Sequence, residues 1–455
     1  MKYDMDGISI YRGIDQIGGI VTEIKKGDHR ILIDFGANLP GTENAELNDD
    51  ELVKEVFSQP EVKTDAVLFT HYHGDHTGLK NRIPEGIPMY IGRIAKDIMK
   101  IIAKDVDYVR VKNGEEGKIE TPVIDRMIPY WRAGEFKDFN GIRIMPLICD
   151  HSALDAYMFV IEMNGERILY TGDFRAHGIP GEKTFEKLIR EKVGRVDILI
   201  TEGTMVSRLK EETANPISCE KDLKEKAAEI FSRHKENVVL VSSTNIDSVM
   251  GFYLATPRDK AFIVDPYQAR IMMTAIEAKH KYFPKDYRYG NEIYVLCPGE
   301  NEYYMKDLAD HMIPGTQRKP FRMARPDIYL EKGFVMPVRP NRNPNVTPGK
   351  FEERLTAMKD PHIIYSMWSG YLKGGKAEDP SVVKFLKGFK PENIEVLHTS
   401  GHAYVEDLKK LMDMTCPDII VPMHTESAAA FKELELFADY SDNIVRLERG
   451  DVLSF

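Results

Sequence analysis

Hydrophobic residues fall along the chain in short β-branched runs, and each of seven such runs ends abruptly in a polar residue able to bind metal or move a proton. The runs are ILIDFG, ending at Asp34; AVLFTHYHGDH, at His71 to His76; IMPLICDHS, at His151; and ILYTGDF, at Asp173. ILITEGT follows, ending at Glu202, then IEVLHTSGH at His402 and IIVPMHTE at His424. Continuous apolar runs of this length predict strands buried on both faces, with the polar groups gathered along one rim of packed sheets. Near the N-terminus, IGGIVTEIKKGDHRILIDFG reads as a hairpin turning at Lys26-Gly27-Asp28, whose second strand delivers Asp34.

Five of the seven strand ends precede residue 205 and two follow residue 390. The segment between has a different character. ENVVLVSSTNIDSVMGFYLA and KAFIVDPYQARIMMTAIEA pass from strand-like to helix-like patterning, as an inserted α/β domain would. The stretch from Pro314 to Lys350, rich in Pro, Arg and Asn, reads as loops.

A chain of 455 residues exceeds one core of ordinary size, which agrees with two domains, one inserted in the other. With 42% hydrophobic and 29% charged residues and no repetitive tract, the composition is that of a folded globular protein. No window approaches the roughly 18 apolar residues that a membrane span needs, so no membrane partner is expected and the cytoplasm is the expected address. Cys149, Cys219, Cys297 and Cys416 show no paired spacing and read as ordinary buried thiols. The net charge of −10 argues against indiscriminate binding to polyanions, although basic residues can still gather around one groove. One such run, from Gln317 to Arg325, carries Arg318, Lys319, Arg322 and Arg325 beside Phe321. It reads first as a solvated loop and second as a strip facing RNA.

In an extended chain residues i and i+2 point the same way, so His71 and His73 can hold one metal, completed by His151. Gly74 would permit a tight turn that brings Asp75 and His76 to a second metal, with Asp173 between the two ions. Imidazole with carboxylate suits zinc, and also manganese or iron. A lone histidine is more often structural, but four metal-competent side chains within six residues at a strand end reverse that balance.

Here the chain resembles the metallo-β-lactamase superfamily, whose His-x-His-x-Asp-His motif is matched by His71, His73, Asp75 and His76. The resemblance implies a four-layer αββα fold and makes Asp34 the strand-end residue that orients the metal ligands. Glu202, the long insert, His402 in HTSGHAYVEDL and His424 in VPMHTE resemble the added motifs of the β-CASP nucleases, and the last two look closest to ribonuclease J. Thr-Glu-Gly-Thr around Glu202 departs from the Asp-Ser-Thr form usual in that group. The chain also stops at Phe455 without the C-terminal domain that ribonuclease J uses in assembly, which leaves a homodimer undecided.

The domains implied are a metallo-β-lactamase domain over 1–207 and 389–455, interrupted by a β-CASP domain over 208–388. The implied activity is metal-dependent hydrolysis of RNA to 5′-phosphate products, with 5′–3′ exonuclease action favoured over internal cutting. Two divalent ions are implied, zinc first and manganese second, with Asp75 shared between metal binding and catalysis. His402 would protonate the leaving group, Glu202 would hold His402 charged, His424 would complete the second metal site, and His398 would lend outer support. The Ser-Gly-rich segment Ser366, Ser369, Gly370, with Ser400, Gly401 and Ala403 at a helix starting near Gly401, would contact phosphate. A small-molecule hydrolase, a DNA nuclease and a non-catalytic nucleic-acid-binding subunit are the competing readings.

Overall fold

The computed structural model describes residues 5–39, 47–209, 217–278, 293–296, 321–323, 331–339, 361–372 and 378–455, without side-chain detail at 277 and 321–323. The chain divides into two compact units, residues 1–213 with 401–455 and residues 214–400.

The first unit holds two mixed sheets. One has seven strands in the order Leu453–Ser454, Gly7–Arg12, Val21–Lys26, His29–Ile33, Lys63–Leu68, Met89–Ile91 and Ile128–Pro129. The other has six, in the order Ile419–Met423, Ile198–Glu202, Glu166–Tyr170, Ala156–Met163, Ile142–Cys149 and Lys137–Phe139. Strand periodicity explains why the central strands of the second sheet, such as Ala156–Met163 and Ile198–Glu202, are apolar on both faces. Ile144, Phe159, Ile161, Ile168, Ile198 and Ile200 face the first sheet's Ile8, Ile24, Ile31, Ile33 and Leu68 in one core. The alternate residues Met145, Met158, Val160, Leu169 and Leu199 face Phe185, Ile189, Leu408, Leu411 and Phe431 in another, so helices cover the second sheet's outer side. On the first sheet, Arg30 reaches from its strand to the carbonyl of Val56 in the helix Asp49–Phe57 (2.7 Å). This is the helix–sheet–sheet–helix layering of an α/β fold.

Register gathers the strand ends. Parallel pairing sets Ile33 beside Leu68, Tyr170 beside Ile200, and Glu202 beside Met423. The segments that follow these strands, carrying Asp34, His71, Asp173 and His424, therefore leave the sheets in the same sense. The hairpin of Val21–Lys26 and His29–Ile33 is antiparallel, as its sequence predicts.

Among the described residues the second unit contains a seven-stranded sheet in which every pair of neighbours is parallel, with helices such as Glu220–Arg233 and Ile246–Ala255 leading into strands. Part of the stretch expected to be loops is strand. Phe334–Val338 lies between Ala261–Val264 and Glu236–Val241 with all five residues buried, and Pro337, which argues against a central strand, hid it from the pattern. Most of the basic run 317–325 lies outside the described residues, and nothing of its side chains is described.

Of the cysteines among the described residues, Cys149 alone is buried, Cys219 is half-buried and Cys416 is exposed. No helix among the described residues is long and apolar enough to cross a membrane.

Candidate metal centre

The ring and carboxylate atoms that sequence spacing grouped are brought together in the first unit. Four overlapping sets of donor atoms each lie within 4.8 Å: His71, His73 and His151; His71, His76 and Asp173; Asp75, His76 and His424; and Asp173, Glu202, His402 and His424. Asp173 Oδ2 lies 3.2 Å from His76 Nε2 and 3.7 Å from His424 Nε2, between the groups.

The local backbone explains how Asp75 and His76 reach the cluster. Gly74–Thr77 is a single helical turn, and a Cβ at Gly74 would meet nothing within 4 Å, so the turn does not need glycine there. The indispensable glycine is elsewhere: a Cβ at Gly36 would fall 1.7 Å from the Asp75 carbonyl oxygen. The fully buried Arg12 ties down this neighbourhood by donating to the carbonyls of Gly19 (2.6 Å), Gly36 (2.5 Å) and Leu47 (3.0 Å), while Ile20 N–H donates to Asp75 O (3.0 Å).

The partners of the Nδ1 atoms assign the imidazole tautomers. Nδ1–H of His76 donates to Asp34 Oδ2 (2.8 Å), and Nδ1–H of His151 donates to the carbonyl of Gly401 (2.7 Å). Thr70 donates its amide and hydroxyl to Asp34 (2.7 and 2.9 Å), which leaves its oxygen to accept Nδ1–H of His71 (3.1 Å). Nδ1–H of His424 donates to Thr204 Oγ1 (2.8 Å). In each ring the Nε2 lone pair is then available to a cation. Nε2 of His71, Nε2 of His76 and Oδ1 of Asp173 are buried without a hydrogen-bond partner, an arrangement that a metal ion would satisfy. This donor set fits a divalent ion accepting nitrogen and oxygen, zinc among them.

For three of the rings electrostatics point the same way, whereas without a cation His76 favours its protonated form. Burial pushes His71, His73 and His151 down, His73 to about 4, which keeps these rings neutral and able to bind metal. Burial also opposes charge on His76, but Asp173, Asp34 and Asp75 outweigh it and raise this ring well above the ordinary value. Burial alone would raise Asp75 and Asp173, yet the surrounding histidines hold both carboxyls low. Asp34 is the exception, raised by complete burial against its bonds from His76 and Thr70.

A second device adjoins the cluster. His402 Nδ1–H donates to Glu202 Oε2 (3.0 Å), and Glu202 Oε1 accepts the amide of Phe174 (2.9 Å). Burial disfavours charge on His402, but Glu202 and Asp173 together raise it above its ordinary value. Its side chain is 20% exposed whereas Glu202's is 1%, so the proton-bearing ring is the member of the pair open to a substrate.

Sequence reasoning missed Thr70, Thr204 and the Gly401 carbonyl, which orient the rings; the signal available was a threonine next to a ligand in THYH and within TEGT. The helix expected near Gly401 begins at Val405, capped by Tyr404 and Asp407, so Gly401, His402 and Ala403 form the preceding loop. At that start the Tyr404 amide, three residues after the glycine, donates to Asp407 Oδ2 (3.3 Å). Ser366, Ser369, Gly370, His398 and Ser400 belong to the second unit, while Gly401 and Ala403 belong to the first.

Residues 29–242 match the beta-lactamase superfamily domain, and residues 389–437 match the Zn-dependent metallo-hydrolase RNA specificity domain. The endoribonuclease YSH1 of Mycosarcoma maydis is 31% identical over 157 residues, 31% of this chain and 17% of that protein. The transcription termination factor FttA of Methanosarcina mazei is 28% identical over 206 residues, 42% of this chain and 30% of that protein. The aligned segments thus span less than a third of these relatives. The crystal structure of a protein of unknown function from Enterococcus faecalis V583 has a TM-score of 0.70 and 19% identity, covering 99% of this chain and 100% of that one, and so shares the fold.

Proposed function

Since the chain belongs to the metallo-β-lactamase superfamily, in its β-CASP branch, we propose that it is a ribonuclease that uses two divalent ions, zinc or manganese, to cut RNA to 5′-phosphate products. His71, His73 and His151 would hold one ion and Asp75, His76 and His424 the other, with Asp173 between them. When bound, the ions supply a water of lowered pKa and neutralise charge on the phosphate oxygens. Asp34, Thr70, Thr204 and the Gly401 carbonyl fix the rings that hold them.

The observation that carries the reading is the His402–Glu202 pair beside these ligands. A departing 3′ alkoxide needs a proton, and an imidazole kept charged by a buried carboxylate can donate one. Hydrolysis of a lactone or thioester has less need of such a donor. The reading includes a 5′–3′ exonuclease mode, with internal cutting as its rival, since one relative is named an endoribonuclease.

The test is incubation of the protein, with zinc and separately with manganese, with 5′-labelled RNA and matched DNA. Labelled mononucleotide from RNA, abolished by His402→Ala and Asp75→Ala, is the expected result. Labelled fragments would indicate internal cutting, and degradation of DNA alone would move the substrate class. A fully metallated protein that cleaves neither polymer would refute the nuclease reading.

A further inference from the structure

His424 occupies a backbone position that needs support. It follows the strand Ile419–Met423 with φ of 51°, a left-handed conformation uncommon for a residue bearing a side chain. Its amide donates to Gly13 O (2.7 Å), but the rest of the turn is held by the short helix Thr204–Ser207, which follows Glu202. Thr204 Oγ1 accepts Nδ1–H of His424 (2.8 Å) and donates to the carbonyl of the same residue (3.2 Å). Three residues on, and so on the same side of the turn, Ser207 Oγ lies 2.8 Å from Thr425 Oγ1 and accepts the amide of Glu426 (2.9 Å).

The approach is close because of Gly203. A Cβ there would stand 2.3 Å from Phe431 Cε2 and 3.1 Å from Thr425 Cβ, so a side chain at 203 would push the helical turn off the segment it grips.

We propose that Thr204 and Ser207 are positioning residues, a pair of hydroxyls that clamps residues 424–426 and sets the affinity of the metal position to which His424 contributes. The inference rests on the two-ion reading above. Thr204 holds the His424 ring by Nδ1, leaving Nε2 directed at Asp75 (3.4 Å) and Asp173 (3.7 Å). Without that acceptor the ring can rotate or carry its proton on Nε2, and in either state it is lost as a ligand. Thr204 Oγ1 also lies 3.3 Å from His402 Nδ1, but its single proton goes to the His424 carbonyl and the His402 ring donates to Glu202 at the shorter 3.0 Å. The clamp therefore acts on metal affinity and leaves the acid pair in place.

The experiment is zinc titration of metal-depleted protein in competition with a chromophoric chelator, with bound zinc counted by elemental analysis. Wild type should take two ions. Thr204→Val should hold one with wild-type affinity and bind the other about 10–100-fold more weakly, the usual cost of removing a group that orients a ligand. Thr204→Ser, which restores the hydroxyl, should recover the loss, and Ser207→Ala should weaken the same ion to a smaller extent. Two ions bound by Thr204→Val as by wild type would overturn the clamp, as would equal weakening of both ions or a serine variant no better than valine. Wild type taking up a single ion would overturn the two-ion reading and the clamp with it. Should Thr204→Val fail to fold, Ser207→Ala decides by the same readout: selective weakening of one ion supports the clamp and unchanged binding overturns it.

Discussion

Replacing Asp34 by Asn changes one atom type in a fully buried position and tests whether hydrogen bonding behind the ligands sets metal affinity. Asp34 has φ of 61°, a conformation that Asn tolerates well, and the side chains have nearly equal volume, so the backbone has no reason to move. The carboxylate now accepts the amide and hydroxyl of Thr70 and Nδ1–H of His76. An asparagine has one accepting oxygen. If that oxygen keeps Thr70, the amide nitrogen faces His76 Nδ1, and the neutral ring is satisfied only by moving its proton to Nε2, the atom a metal needs. If the amide turns round, Thr70 loses its acceptor and its hydroxyl is no longer held against His71. Either way a ligand is mis-set, at an expected cost of about 10–100-fold in affinity, or roughly 1.4–2.7 kcal/mol. Competitive zinc titration measures the loss, and a thermal melt of the metal-free variant separates it from unfolding. Asp34→Asn that folds and binds zinc as tightly as wild type would refute the argument.

Gly36→Ala should displace the turn carrying Asp75, because the added carbon would begin 1.7 Å from its carbonyl oxygen; weakened zinc binding is expected, and unchanged binding would show that the strand end yields instead. Asp107 should matter for stability alone. Its carboxylate accepts the amides of Glu120 and Thr121 (2.8 Å each) and the Thr121 hydroxyl (2.6 Å), so Asp107→Ala should cost roughly 1–3 kcal/mol in unfolding experiments. Burial alone would raise this carboxyl, but the bonds from Thr121 and Glu120 hold it below the ordinary 3.8. Its contribution is therefore complete above that value and lost as pH falls through the lower folded one, so the gap between variant and wild type should narrow in acid. A gap independent of pH would place the effect elsewhere.

The layered α/β fold was legible because strands such as Ile142–Cys149 and Ile198–Glu202 are largely apolar runs that break off at charged or ring-bearing residues. The strand Phe334–Val338 was not, because Pro337 carries a local signal that tertiary burial overrides. At the candidate site the spacing of His71, His73, Asp75 and His76 within six residues is a local signal, and the structure brings their side chains together. Thr204 shows why other members were not visible. Its partner His424 lies 220 residues away, and nothing in the composition of either segment points to the other. The start of the helix Val405–Thr415 was misread for a simpler reason: Ser-Gly-His resembles a helix entry, but the capping contacts come from Tyr404 and Asp407.

The pairing of Ile198–Glu202 with Ile419–Met423 also has a meaning for biosynthesis. Glu202 is made 200 residues before His402, which at about 5–20 residues per second is a wait of roughly 10–40 s on the ribosome. The parallel neighbour that covers the far edge of the strand Ile198–Glu202 is made later still, at Ile419–Met423, and a sheet formed before then would end at that strand. The acid pair, likewise, has no proton-bearing member until His402 has been made.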